Sequence, residues 1–483
     1  MKTWIRGIAL MLVAIMLCMT TVACKGGGDD TSPTDTIEGA STDEDAGFTV
    51  ERASYGKDFN VLYPQWGTYQ EFFFYDEANG DMSDSIDSAL YKRTELLRDY
   101  LGVNLKAFPE TVVNGVHSAV ASKFTNSVLS GDGAYQLFLS HTFAGVSGLV
   151  TGEYLYDFNQ LTDINLDAGY WNKDAMERLE IDSALYYGLS DFMLSDPNAV
   201  FFNKTLQADY NVSDPYEMVR DGTWTLENMT VESKKVNVTG DKTTKDLGFA
   251  AIGDWHFMSL YDSCDIELVI DEGGYSTLNM GADNEKFLTV YEQLDALCKE
   301  ESTLIYSSND PESEKILTSG RVLFTFVPLH QANTYRSSEV TFGILPYPKY
   351  DEEQEEYHSF DWSGLMCVPV NTEDPAMTGQ VLECLSYFSA DTIHIAYYEK
   401  LLGAKLADAP DDYEMIRKIY DNLVTNPVLN MMNEWNSSLG SLAYMYRHLT
   451  YAYAADTQSD SIAVMWARYG KSAQIQLDET INR

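Results

Sequence analysis

The sequence predicts an α/β protein of two lobes, and three observations predict it. Beyond a leading segment and a polar stretch, ~430 residues remain, more than one hydrophobic core usually supports. The composition, 45% hydrophobic and 13% aromatic, is that of a chain able to bury such cores. Short apolar strands then alternate with helical periodicity, the order from which mostly parallel, open sheets are built.

The first element is a secretory signal over residues 1–23. Lys2 and Arg6 precede an apolar run over residues 7–19. That run is shorter than the ~20 residues a spanning helix needs, and small and polar residues follow it at once. Thr21, Val22, Ala23 and Cys24 resemble the lipobox of bacterial lipoproteins, so Cys24 is expected to carry lipid as the mature N-terminus. The alternative is ordinary secretory cleavage with an incidental Cys24. Residues 24–50 hold Gly26, Gly27, Gly28 and many Asp, Ser and Thr, too few apolar groups to fold, and read as a flexible acidic tether. Such a tether spans roughly 25–30 Å. No second apolar segment of spanning length follows, so the expectation is a chain attached to the membrane by two acyl chains without crossing it.

The folded part opens strand, helix, strand. Residues 59–63 are an apolar and aromatic run, and residues 103–108 alternate like a second strand. Between them Ser83 or Asp84 caps a helix, Ile86, Leu90, Leu97 and Leu101 recur at helical spacing, and Gly102 ends it. A further helical stretch begins near His117, and residues 135–139 form a third strand. In such sheets ligands bind outside the carboxyl ends of the strands. Two loops therefore stand out, one carrying Trp66 and Tyr69 after the first strand, the other Ser140 and His141 after the third. No repeat of 20–50 residues is present, which disfavours solenoids and propellers.

Several function classes are excluded or unsupported. The formal net charge is −42 with no basic block, so a nucleic-acid partner is not expected. There is no GxSxG, no complete phosphate-binding loop and no HExxH, and the seven histidines are scattered singly. No catalysis, metal or cofactor is expected. Carboxylates are too frequent for an acid–base pair to be inferred from number, and residues 76–87 read as a turn and helix cap rather than a calcium loop. With Cys18 leaving in the signal and Cys24 lipidated, Cys264, Cys298, Cys367 and Cys384 allow three pairings, and free buried thiols stand beside them as an alternative.

Four segments carry a resemblance to a known family. They are residues 152–161 (GEYLYDFNQL) leading to Tyr170, Trp171 and Asn172; residues 200–204 (VFFNK); residues 214–229 (DPYEMVRDGTWTLENM); and residues 320–327 followed by 341–349 (TFGILPYPK). Together they resemble the extracellular solute-binding proteins of family 1, the group of maltose-binding protein and many sugar-binding lipoproteins. The resemblance implies a two-lobed periplasmic-binding-protein-like fold of type II, each lobe a mostly parallel sheet flanked by helices, joined by a hinge. It places the first lobe over residues 51–196 and 324–405 and the second over residues 197–323 and 406–483. It implies a monomer on the extracytoplasmic face of a cell membrane, in a Gram-positive bacterium, capturing a carbohydrate for the permease subunits of an ABC transporter.

A sugar site needs flat apolar surfaces flanked by hydrogen-bonding groups, which Trp and Tyr supply beside carboxylates and amides. The chain holds 8 Trp and 32 Tyr, enough to build such a site several times over, so position must decide. The first-lobe candidates are Trp66, Tyr69, Ser140, His141 and Trp171. Asp254 with Trp255, and Asp361 with Trp362, each place an acceptor beside an indole. Lobe packing is the competing reading of each aromatic. Trp224 is assigned to the core behind a Thr223 or Thr225 cap, and Trp435 and Trp466 to core helices. Two other readings share these features: a lipid-anchored carbohydrate-active enzyme, and the same fold holding a peptide or another small solute.

Overall fold

Strands and helices alternate through the chain and gather into two sheets. The computed structural model describes residues 47–65, 73–76, 79–112, 118–140, 146–236, 240–252, 256–306, 315, 318–332, 335, 338–361, 364–397, 410–430, 438–454 and 460–482. Trp66, Tyr69, His141, Asp254, Trp255, Trp362 and Trp435, with the signal and Cys24, lie outside them. The strands, in chain order, are β1 (Lys57–Gln65), β2 (Val103–Thr111), β3 (Leu137–Ser140), β4 (Asn198–Asn203), β5 (Leu247–Ile252), β6 (Val269–Asp271) and β7 (Ser276–Leu278). They continue with β8 (Thr303–Tyr306), β9 (Val322–Pro328), β10 (Phe342–Leu345), β11 (Ser359–Phe360), β12 (Leu365–Cys367) and β13 (Leu423–Val424).

The first sheet has the order β12-β3-β1-β2, with β1 parallel to β2 and β3 and β12 antiparallel to β3. Between β1 and β2 runs the helix Ser85–Leu101. Asp84 caps it, its carboxylate accepting from the Ile86 and Asp87 amides at 2.9 and 3.4 Å. Gly102 ends it at φ 63, a left-handed conformation that glycine adopts without a Cβ penalty. Ile86, Leu90, Leu97 and Leu101 are all buried, so the helical spacing of the sequence is the buried face.

The second sheet has the order β10-β4-β9-β5-β8; β10, β9, β5 and β8 run in one direction, and β4 alone is reversed between β10 and β9. The boundary expected at residue 324 is corrected here. Residues 320–327 and 341–349 do not return the chain to the first lobe; they supply β9 and β10 of the second sheet, and the chain rejoins the first at β12. The cause is burial: VLFTFV is buried at every position of β9 from Val322 to Val327, the continuous apolar pattern of a central strand covered on both faces.

The two faces of the second sheet serve different cores. Val200 and Phe202 of β4 point into the second-lobe core with Trp224, Phe324 and Phe326, while Ala199 and Phe201 point the other way. There they meet Ile86, Ala89 and Leu90 of the helix Ser85–Leu101, together with Ile344, Ile393 and Ile416, so an apolar joint links the lobes. The first-lobe core gathers Phe59, Val61, Leu137, Phe138, Trp171 and Leu382. Trp224 is fully buried and its indole donates to the Pro346 carbonyl at 3.0 Å, behind the Thr225 cap on the Asn228 amide. Met465, Ala473 and Leu477 of the helix Ile462–Thr480 complete the second core, with Trp466 against it. Cys264, Cys298, Cys367 and Cys384 are free and buried, and burial pushes the Cys264 thiol up to about 12.

Asp412, on the helix Pro410–Asp421, fastens that helix to β10. Its buried carboxylate accepts from the Ile344 amide at 2.8 Å, the Tyr216 hydroxyl at 2.5 Å and the Lys204 ammonium at 3.2 Å. Removing one member of a buried charged network strands the others. Asp412→Ala is therefore expected to lower unfolding stability by about 3–5 kcal/mol, read from urea midpoints; a loss below 1 kcal/mol would show that the anchor is not structural.

Candidate functional site

The strands place the candidate site before any side chain is considered. β1, β2 and β3 end together at Gln65, Thr111 and Ser140, and β5, β8 and β9 end together at Ile252, Tyr306 and Pro328. Because β4 is antiparallel to β9 and Asn198 pairs with Pro328, the start of β4 lies on that same carboxyl edge. Loops at carboxyl edges form the crevice in open α/β sheets. Ser140 therefore stands at the first-sheet edge, and its neighbour Gly364 approaches so closely that an added Cβ would sit 2.7 Å from the Ser140 carbonyl oxygen.

The second-sheet edge carries a polar cluster that the sequence reading missed. Just past β9, the His330 backbone amide donates to Asp196 Oδ1 at 3.1 Å, and His330 Nδ1 lies 2.5 Å from Asp196 Oδ2. The carboxylate thus fixes the ring and keeps a proton on Nδ1, and Nε2 lies 3.2 Å from the Gln331 side-chain amide nitrogen. Beside it, His256 Nδ1 lies 3.1 Å from Asn198 Oδ1, whose amide nitrogen donates to Ser259 Oγ at 2.8 Å. The His330 side chain remains 24% exposed, so the pair borders solvent. The signal was present in the sequence as His330 and Gln331, which follow the buried run ending at Val327 with Pro328 and Leu329 between.

The remaining described candidates have other tasks. Trp171 is buried in the first-lobe core, and its indole donates to Glu383 Oε2 at 2.8 Å. Tyr170 also donates to this carboxylate, as does the Asn165 amide at 3.2 Å, and Phe158 meets the indole edge-on. Burial raises the Glu383 pKa, with these three donors opposing it. Trp171 therefore offers no face to a ligand; it packs a core around a buried carboxylate. Asp361 is likewise buried and accepts from Ser195 Oγ at 2.9 Å, while its amide donates to the Val424 carbonyl at 3.0 Å. Ser195 lies in the segment over residues 191–197 that carries the chain into the second sheet, and Asp361 in the segment that brings it back. Asp361 thus ties two crossings together.

Among the described residues no group of three or more His, Cys, Asp or Glu is placed to hold a metal ion, and no helix is long and apolar enough to cross a membrane.

The fold has solved counterparts. The GacH receptor of Streptomyces glaucescens, solved unliganded and with acarbose, matches with a TM-score of 0.56 at 16% identity, over 87% of this chain and 99% of that one. An ABC substrate-binding protein of Listeria monocytogenes in complex with cycloalternan matches with a TM-score of 0.55 at 12% identity, over 88% and 99%. The galacto-N-biose/lacto-N-biose I-binding protein of an ABC transporter of Bifidobacterium longum matches with a TM-score of 0.58 at 11% identity, over 88% and 96%. The chain has the two-lobed, periplasmic-binding-protein-like fold. No family model matches the chain, and no curated protein matches it in sequence.

Two outcomes are expected. Trp171→Ala should cost about 3–5 kcal/mol of stability in denaturant unfolding, the range for deleting a buried indole; a loss under 1 kcal/mol would contradict its core placement. His330 is pulled down by burial, but the Asp196 carboxylate outweighs this and raises its pKa. A raised folded value stabilises fully below the unfolded pKa of about 6.5, and the contribution is lost as pH rises through the folded value. His330→Gln should therefore lose stability against the parent at pH 5.5, by about 1.5–3 kcal/mol as for a hydrogen bond to a charged group, and the gap should narrow by pH 9. A gap that widens with pH would refute the pairing.

Proposed function

We propose that this chain is a lipid-anchored solute-binding protein that captures a carbohydrate, an oligosaccharide in particular, between its lobes and presents it to an ABC transporter. The observation that carries this reading is the fold likeness along 87–88% of the chain to proteins solved with acarbose, cycloalternan and lacto-N-biose. The carboxyl-edge chemistry supports it, since His330, Gln331 and Asn198 offer donors and acceptors suited to sugar hydroxyls. In this reading Trp66, Tyr69, Ser140, His141, Asp254, Trp255 and Trp362 contact the ligand, together with His330 and Gln331. Indole and phenol rings cover the C–H faces of the sugar while the polar groups take its rim. Ligand held by both walls stabilises the closed arrangement, because only that arrangement makes both sets of contacts. Cys24 carries the lipid that holds the protein at the outer face of a Gram-positive cell membrane, where the permease subunits reside. The protein acts without catalysis.

The test is a thermal-shift screen of the mature chain against oligosaccharides and peptides, with chromatography of the recovered sugar. A ligand at 100 times its Kd adds about 2.7 kcal/mol of stability, so an oligosaccharide should raise the midpoint and be recovered intact. Trp255→Ala should then weaken binding by at least about tenfold, ~1.4 kcal/mol, with an unchanged ligand-free midpoint. Stabilisation by peptides alone would overturn the ligand class, and shortened sugar in the eluate would overturn the absence of catalysis.

A further inference from the structure

Arg93 is a fully buried guanidinium in the middle of the helix Ser85–Leu101. Among the described residues no carboxylate lies within ion-pair distance of it, and burial pulls its pKa down to about 9. An uncompensated buried cation is costly, and a hydrophobic side chain of similar volume is commonly tolerated as well or better at such a site. Its presence therefore calls for a task other than stability.

Its contacts name that task, for each belongs to a different segment. Nη2 donates to the Phe73 carbonyl in the connection from β1 to the helix. Nη1 donates to Ser389 Oγ at 3.3 Å, at the last residue of the helix Pro375–Ser389. The guanidinium lies 4.8 Å from the ring centre of Phe192, in the segment crossing to the second lobe, while Nε finds no partner among the described residues. Immediately after Ser389 the helix widens into a π-helical turn over Ala390–His394, a feature that concentrates at functional sites. His394 at its end stands 3.8 Å from Asp191, next to Phe192. The crossing segment thus meets the π turn at two places: Arg93 reaches both Phe192 and Ser389, and His394 stands near Asp191. Beyond the turn, Ile393, Ala396 and Tyr397 enter the apolar joint between the lobes.

We infer that Arg93 is the positioning residue of the interlobe pivot, clamping the crossing segment over residues 191–197 to the π turn Ala390–His394 and so setting the angle from which the lobes close. The described contacts of the clamp are a cation–π contact and two neutral acceptors. It goes beyond the sugar-binding reading and does not depend on which solute is bound.

Hydrogen exchange on the ligand-free full chain tests it, comparing the parent with Arg93→Met and Arg93→Lys. Arg93→Met keeps the volume and removes the clamp. Its amides over residues 73–76, 190–194 and 389–394 should exchange about tenfold faster or more, with β1, β2 and β3 as protected as before and the thermal midpoint retained. Arg93→Lys, keeping charge but losing the fork, should fall between the two. Faster exchange throughout the first-lobe core with a lowered midpoint would assign Arg93 to ordinary packing and overturn the inference, as would unchanged exchange at the three segments. Because no sugar is added, the outcome is independent of whether the chain binds one.

Discussion

The structure depends on how its chain crossings are held together, and the bond between Ser195 Oγ and Asp361 is the point where two of them meet. One crossing leads from the first sheet into β4; the other returns from β10 to β12. A third leaves the helix Pro375–Ser389 for the helix Pro410–Asp421, whose Tyr420 hydroxyl donates to the Ser195 carbonyl at 3.1 Å. Parallel pairing of β11 with β13 adds main-chain hydrogen bonds to the same place. Two lobes joined at such a seam have few ways to move relative to one another, and hinge rotation about the seam is the way that leaves both cores intact.

That constraint gives the carboxyl edges their meaning. Parallel strands in each lobe deliver their following loops to one edge, and in the proposed reading those two edges supply the groups that meet the ligand. On the second-sheet edge Asp196 holds His330 through both its backbone and its ring, with Gln331 beside it. In the proposed reading such a site would lose little freedom on binding, since its groups are already aimed. In the proposed reading the acidity of the chain keeps an exposed protein soluble and weakly self-repelling.

Much of the fold was legible because it is local. Asp84, the Ile86-to-Leu101 spacing and Gly102 specify a helix within one turn of each signal, and β1 to β3 are bounded by their own turn residues. Trp224 could be placed in the core because its Thr225 cap is adjacent. What failed to be legible depends on distant partners. The indole of Trp171 is spent on Glu383, 212 positions away, and Asp361 on Ser195, 166 positions away. Nothing near either residue in sequence announces those carboxylate and hydroxyl partners, so both looked like ligand groups. The lobe boundary slipped for the same reason: β9 is central because β4 and β5 flank it, and only that pairing distinguishes it from a strand leaving for the other lobe. His330 was overlooked although its position was readable, since the polar residues following a fully apolar strand lie on a carboxyl edge whichever lobe owns the strand.

The central claim is that a carbohydrate closes two lobes about a fixed seam. Small-angle X-ray scattering of the mature chain, titrated with the oligosaccharide that stabilises it, addresses this directly. The radius of gyration should fall saturably with sugar and return on dialysis. A radius that stays constant while sugar is bound at full occupancy would contradict capture by closure.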